Sequence, residues 1–142
     1  MIDKDYKYVE TDLEMKSVWQ DGAKAVWDLK GSIDSTNYSK FVQAGLALLE
    51  KEKIHYLLLR MERLKYVSSA GLGALIELRR FLEKKGGNLW LFMLQTPVKR
   101  VLQITKMEVW ELPLQVLDAG HPFALYLNPL VPAPDPSLPE KV

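Results

Sequence analysis

Two adjacent serines lie where the sequence predicts the start of a helix. Ser68 and Ser69 follow an apolar run and precede Gly71-Leu72-Gly73 and a long amphipathic segment. A serine hydroxyl at a helix N-terminus accepts hydrogen bonds from backbone N–H groups that have no partner inside the helix. The same N–H groups and the helix dipole stabilise a phosphate attached there. The two residues alone therefore allow a structural cap, a phosphoacceptor or both.

Other kinds of chemistry lack the residues that they need. Cysteine is absent, and the two histidines, His55 and His121, are far apart and belong to no cluster with metal-ligand spacing. Gly71-Leu72-Gly73 is not a dinucleotide loop, because Ile76 stands where that motif needs its third glycine. No nucleophile, base and orienting group can be assembled. We therefore predict no cofactor, no metal and no enzymatic activity.

Composition indicates one globular domain with no preference for polyanions. The chain has 142 residues, 48% of them hydrophobic, and a formal net charge of +1. No block of like charges suggests a nucleic-acid or membrane surface. The longest apolar run, residues 89–94, is too short to span a bilayer, and the N-terminus lacks the apolar core of a signal peptide. We expect a cytoplasmic protein, while its oligomeric state leaves no signal in the sequence.

Hydrophobic periodicity predicts alternating strands and helices. The predicted strands are an opening hairpin of residues 8–19 and 24–29, buried strands at 54–61 and 88–94, and an edge strand at 114–117. The predicted helices cover 35–52, the segment from the serines to Gly86-Gly87, the segment from Thr96 to about Lys106, and 123–127. Trp27 is expected in the core, whereas Trp110 is left open between an inward-facing plug and a partner contact. Five of the eight prolines lie between residues 129 and 139, which predicts an extended or disordered tail.

Three motifs and this order of elements resemble the STAS domain, specifically the bacterial anti-anti-sigma factors. The motifs are the turn Leu29–Asp34, the helix start Tyr66–Gly73, and Gly86-Gly87 followed by Pro97–Leu102. The resemblance covers residues 9–127 and leaves a lead-in at 1–8 and the Pro-rich tail at 128–142. It implies an α/β fold with a mixed central sheet of about five strands and about four helices packed mainly on one face.

The resemblance also implies partner switching in the regulation of transcription. Such a protein binds an anti-sigma factor with serine kinase activity, is released when that kinase phosphorylates a serine at this helix start, and is reset by a phosphatase. Ser69 is by position the preferred acceptor and Ser68 the second choice. This sequence departs from the family pattern at two positions. Ser68 stands where the family usually has an aspartate, and Ala70 stands where it often has a second hydroxyl residue. The expected partner-binding residues are Asp34, Ser68, Ser69, Ala70, Gly71 and Leu72.

Two other functions stay open from the sequence. Loss of the aspartate favours a phosphorylation-independent STAS subunit of a scaffold or lipid-transport complex, in which Ser69 merely caps its helix. Because a helix N-terminus can bind an anion, the sequence also suggests a module that binds a nucleotide or another small ligand. If Ser69 is phosphorylated, Arg63 or Lys65 is the cation that the sequence offers as its partner.

Overall fold

A mixed β-sheet of five strands organises the protein. The computed structural model describes residues 7–10, 12–112 and 120–127. The strands are β1 (Lys7–Glu10), β2 (Leu13–Asp21), β3 (Lys24–Ile33), β4 (Tyr56–Val67) and β5 (Asn88–Phe92). They lie in the order β1-β2-β3-β4-β5, with antiparallel pairing from β1 to β3 and parallel pairing from β3 to β5. The predicted mixed sheet in an α/β fold is confirmed, although its individual strands differ from the predicted ones.

The described residues form four α-helices, of which the first three cover one face of the sheet. They are α1 (Tyr38–Lys51), α2 (Ser69–Lys84), α3 (Thr96–Ile104) and α4 (Ala124–Leu127), with a 3-10 helix at Glu108–Trp110. Parallel neighbours need crossover connections, which α1 supplies between β3 and β4 and α2 between β4 and β5. Helices α1 to α3 bury side chains in the same apolar cluster as Ala25, Trp27 and Leu29 of β3. These three helices therefore pack on one face of the sheet.

Trp27 lies in this core, as predicted. Its side chain is only 1% exposed. Gly45 of α1 lets the helix pass close above the ring, because a Cβ at Gly45 would lie 3.5 Å from the indole and 3.1 Å from Leu78 of α2. The small residue thus serves the packing of α1 against both the sheet and α2.

The first predicted strand, residues 8–19, is in fact two strands. Asp12 occupies a turn between β1 and β2. Its backbone carbonyl accepts a hydrogen bond of 2.8 Å from the N–H of Ser32, which holds the turn beside the end of β3. The resulting strand β1 begins at Lys7, inside the predicted lead-in of residues 1–8.

Strand β4 is longer than the predicted strand at 54–61. It continues to Val67 because its parallel pairing with β3 extends to the pair Ile33 and Val67. Glu62, Arg63 and Lys65 interrupt the apolar run in this part of the strand. The predicted strand therefore stops where the apolar run stops, whereas the backbone pairing continues to Val67.

The helices and the C-terminal region also differ in detail. Helix α1 begins at Tyr38 rather than at residue 35, because residues 34–37 form a hydrogen-bonded turn. The chain divides into two units, residues 1–112 and 113–142. In the second unit the N–H of Ala124 donates to the carbonyl of His121 at 3.1 Å, where the short α4 begins. The predicted strand at 114–117 and the tail at 128–142 lie outside the described residues.

Trp110 is partly buried rather than freely exposed. Its ring packs against the main core, and the guanidinium carbon of Arg79 lies 4.3 Å from the ring centroid. A cation over the face of an indole is an attractive contact. Trp110 thereby joins the 3-10 helix to α2, which agrees better with the inward-facing plug than with the partner contact, the two alternatives that the sequence allows.

Candidate functional site

The predicted site residues meet at the carboxyl ends of β3 and β4. These neighbouring parallel strands end together, with Ile33 paired to Val67. The N–H of Ser68 donates a hydrogen bond of 2.9 Å to the carbonyl of Ile33. The turn that follows β3, residues 34–37, is named here the aspartate turn, and residues 68–72 are named the serine turn. The fold therefore brings the two predicted motifs to one edge of the sheet.

Ser68 is the residue that caps α2. Its backbone is extended, with φ −82° and ψ 176°, and its Oγ accepts a hydrogen bond of 3.2 Å from the N–H of Gly71. Its carbonyl accepts the N–H of Leu72 at 2.9 Å, which is the first bond of the helix. An N-cap residue has this geometry. The capping role expected for Ser69 was therefore assigned one residue too late.

Ser69 is the first residue of α2, and its side chain is exposed. Because Ser68 provides the cap, the Ser69 hydroxyl is not needed for that role. The first turn of α2 contains no acidic residue. A negative group attached at Ser69 would meet the positive end of the helix dipole without a carboxylate in the same turn. Ser68 thus serves as the cap of α2, while the exposed hydroxyl of Ser69 is accessible to modification.

The other predicted partner-binding residues divide into surface and interior. Asp34 and Ala70 are half-buried, whereas Gly71 is buried and Leu72 is only 6% exposed. A Cβ at Gly71 would lie 2.5 Å from the carbonyl oxygen of Ile33 and 2.9 Å from Val67. Only glycine allows α2 to begin this close to β3. Gly71 and Leu72 therefore form the buried part of the serine turn, which packs against β3 and the core.

The aspartate turn is held by side-chain hydrogen bonds that the sequence interpretation did not single out. Asp34 Oδ1 accepts a hydrogen bond from the Thr36 hydroxyl at 2.6 Å and one from the Thr36 N–H at 2.9 Å. These two bonds favour the carboxylate and lower the pKa of Asp34 below its usual value. Asn37 Oδ1 accepts the N–H of Asp34 at 3.0 Å. The available signal was the run Asp-Ser-Thr-Asn, since such residues favour turns through bonds to nearby backbone.

Arg63 is engaged elsewhere. Its guanidinium forms an ion pair with Asp28, a carboxylate of β3 that is buried. A phosphate on Ser69 would have to compete with Asp28 for this guanidinium, and the pairing of Arg63 with such a phosphate stays a prediction. Lys65 is exposed and lines a surface cavity of about 150 Å³ together with Lys30 and Gly31.

Within residues 7–10, 12–112 and 120–127 no group of three or more His, Asp or Glu side chains could hold a metal ion. No helix in these ranges is both long and apolar enough to cross a membrane.

Sequence comparison identifies the family. A family model described as the STAS domain matches residues 16–115, well over half of the 142 residues. The chain therefore belongs to the STAS domain family, and the resemblance stated from its motifs is confirmed. No curated protein matches the chain by sequence.

Solved structures share the fold. The chain is similar to the anti-sigma factor antagonist SpoIIAA in its unphosphorylated form, with a TM-score of 0.63, 19% identity, and coverage of 69% of this chain and 85% of that one. The phosphorylated form of SpoIIAA, a Bacillus cell fate determinant, gives a TM-score of 0.57 at 18% identity over 69% of this chain and 88% of that one. The murine anion transporter Slc26a9 gives 0.53 at 20% identity over 61% of this chain but 14% of the transporter. At these identities the likeness concerns the fold.

Exchanging each serine for alanine should separate the cap from its neighbour. Ser68→Ala removes the acceptor for the Gly71 N–H, so we expect the free energy of unfolding to fall by about 1 kcal/mol. Ser69→Ala should change it by less than about 0.5 kcal/mol, because the side chain is exposed. Ser68→Asp keeps a capping oxygen and should retain most of the stability. Urea denaturation measures all three, and an equal loss from both alanine variants would contradict the assignment of the cap.

Two glycines of α2 should respond oppositely to the same substitution. Gly73→Ala should stabilise the protein by about 1 kcal/mol, because nothing lies within 4 Å of its new Cβ and alanine favours helix. Gly71→Ala should destabilise it by about 1–3 kcal/mol, because its Cβ would meet the Ile33 carbonyl. Thermal and urea unfolding check both signs. A stabilising Gly71→Ala would mean that the start of α2 can move away from β3.

Thr36→Val should raise the pKa of Asp34 toward its usual value by removing one of the bonds that favour the carboxylate. A depressed carboxyl pKa contributes stability above the unfolded-state pKa, and this contribution is lost as the pH falls through the folded-state pKa. In the variant the contribution should therefore be smaller, and its loss should be complete at a higher pH than in the wild type. An NMR titration of the Asp34 carboxyl carbon measures the midpoint, and Thr36→Ser, which keeps the hydroxyl, is the control. An unchanged midpoint in Thr36→Val would exclude the Thr36 hydroxyl as the cause.

Proposed function

We propose that this protein is an anti-sigma factor antagonist that acts by partner switching in the bacterial cytoplasm. In its unphosphorylated form it binds an anti-sigma factor that is also a serine kinase. Phosphorylation of Ser69 by that kinase releases it, and a phosphatase restores the binding form. The observation that carries the proposal is the exposed Ser69 hydroxyl at the first residue of α2, where the cap is provided by Ser68.

The local geometry supports Ser69 rather than Ser68 as the acceptor. Ser68 is half-buried, and its Oγ accepts the hydrogen bond from Gly71 that caps α2. Phosphorylation of Ser68 would have to preserve or replace that bond. Ser69 makes no capping hydrogen bond that phosphorylation would have to preserve, and its side chain is more exposed than that of Ser68. Membership in the STAS family and the fold shared with SpoIIAA support the regulatory class of the proposal.

The proposed binding surface consists of the exposed parts of both turns. Asp34, Ser68, Ser69 and Ala70 supply accessible side chains, while Gly71 and Leu72 maintain the backbone beneath them. A phosphate adds a charge of about −1.5 to −2 and three strong acceptor oxygens. Burying that charge against a partner surface suited to a neutral hydroxyl would cost much of the binding energy. Asp34, whose pKa is lowered, adds negative charge at the same edge.

The test combines phosphorylation with binding. Each anti-sigma-type serine kinase encoded in the same genome is incubated with ATP and with the wild type, Ser69→Ala or Ser68→Ala. We expect a cognate kinase to add one phosphate, seen by intact mass, to the wild type and to Ser68→Ala but not to Ser69→Ala. Binding of that kinase should be weakened at least about tenfold by Ser69→Asp, measured by calorimetry. Equal phosphate uptake by Ser69→Ala would reject Ser69 as the acceptor.

One feature favours a second function, a STAS subunit of a larger assembly that works without phosphorylation. The position of the family's usual aspartate is occupied by the neutral cap Ser68. In that function Ser69→Asp would leave partner binding unchanged, and none of the kinases would modify the wild type. For a nucleotide-binding or other small-ligand module, a thermal-shift screen with nucleotides should give a stabilised protein.

A further inference from the structure

Asn37 has an unusual position for a residue that precedes a helix. It is the N-cap residue of α1, yet its side chain makes no capping hydrogen bond to that helix. The side chain is 1% exposed and turns back toward the end of β3. Its Nδ2 donates a hydrogen bond of 2.9 Å to the carbonyl of Ser32, and its Oδ1 accepts the N–H of Asp34 at 3.0 Å. One buried amide thus holds the residues on both sides of Ile33.

Ile33 is also the residue on which α2 begins. Its carbonyl accepts the N–H of Ser68 at 2.9 Å. The same carbonyl lies so close to Gly71 that no Cβ can fit between them. A chain of direct contacts therefore runs from Asn37 through Ser32, Ile33 and Asp34 to the serine turn. A buried amide held at both ends fixes the backbone more firmly than a single capping bond can.

From this chain of contacts we infer that Asn37 is a positioning residue for the serine turn. It fixes the orientation of the Ile33 carbonyl, which in turn sets where α2 begins and how Ser69 is presented. The consequence for phosphorylation rests on the proposed function, whereas the positioning itself does not. The positions of the aspartate turn and the serine turn are then coupled through the contacts of the buried Asn37 side chain.

Two substitutions at Asn37 test the inference. Asn37→Ala removes both hydrogen bonds. Asn37→Asp keeps an acceptor for the Asp34 N–H but cannot donate to the Ser32 carbonyl. The matched control is Asn88→Ala at the start of β5, where Oδ1 accepts the N–H of Leu89 at 2.8 Å at the opposite edge of the sheet.

The first readout is amide hydrogen exchange measured residue by residue by NMR. Asn37→Asp, which loses one hydrogen bond, should accelerate exchange of the Ser68, Gly71 and Leu72 amides by about fivefold to tenfold, and Asn37→Ala, which loses both, by at least as much. Amides in the last turn of α2 should change only with global stability. Asn88→Ala should leave the serine turn unchanged. Uniform acceleration along α2, or none at the serine turn in Asn37→Asp, would overturn the inference.

The second readout is the rate of Ser69 phosphorylation by the kinase found for the wild type. Asn37→Asp should lower kcat at least about fivefold relative to Asn88→Ala, because a displaced serine turn presents the hydroxyl incorrectly. An unchanged rate despite faster exchange would limit Asn37 to the fold of the turn and reject its role in presenting Ser69. If no kinase modifies the wild type, the proposed function fails, while the exchange result still decides whether Asn37 positions the turn.

Discussion

The hydrogen bond from the Ser68 N–H to the Ile33 carbonyl is the contact on which the candidate site depends. It joins the last residue of β3 to the cap of α2 at 2.9 Å. Parallel strands end at the same edge of a sheet, but pairing alone does not fix the direction of the next helix. Here the cap accepts the Gly71 N–H while its own N–H is held by the neighbouring strand. Position and direction of α2 are therefore set within four residues.

Sequence patterns predicted the class of fold because hydrophobic periodicity follows burial. The buried strands and the amphipathic helices α1 and α2 repeat apolar residues at intervals that match their geometry. The last part of β4 escaped prediction because Glu62, Arg63 and Lys65 interrupt its apolar run, although the strand stays paired with β3 as far as Val67 and still buries apolar side chains. The division of the first strand also escaped, since the turn at Asp12 is held by a bond to Ser32, twenty residues further along the chain.

The candidate site was predictable as a location but not as an arrangement. The motifs around Asp34 and Ser69 indicated two turns, and the fold brings both to one edge. Which serine caps α2 could not be read from their adjacency, because the answer depends on where the backbone leaves the extended conformation. That point is fixed by the Ile33 carbonyl and by the absence of a Cβ at Gly71. Asn37 escaped notice for the same reason, since its role depends on contacts with the end of β3.

The identity of the cap has an electrostatic consequence for the site. An aspartate at position 68 would cap α2 equally well, but it would place a permanent negative charge beside any phosphate on Ser69. Ser68 supplies the same acceptor oxygen without that charge. A carboxylate remains in the adjoining aspartate turn, where two bonds from Thr36 lower the pKa of Asp34 and favour its ionised form. A phosphate dianion on Ser69 would therefore be repelled by the carboxylate of the aspartate turn at the same edge of the sheet. It would meet no carboxylate in the first turn of α2. Its effect on the protein's own fold would be small, and under the proposed function its main effect would fall on the partner surface that binds the two turns.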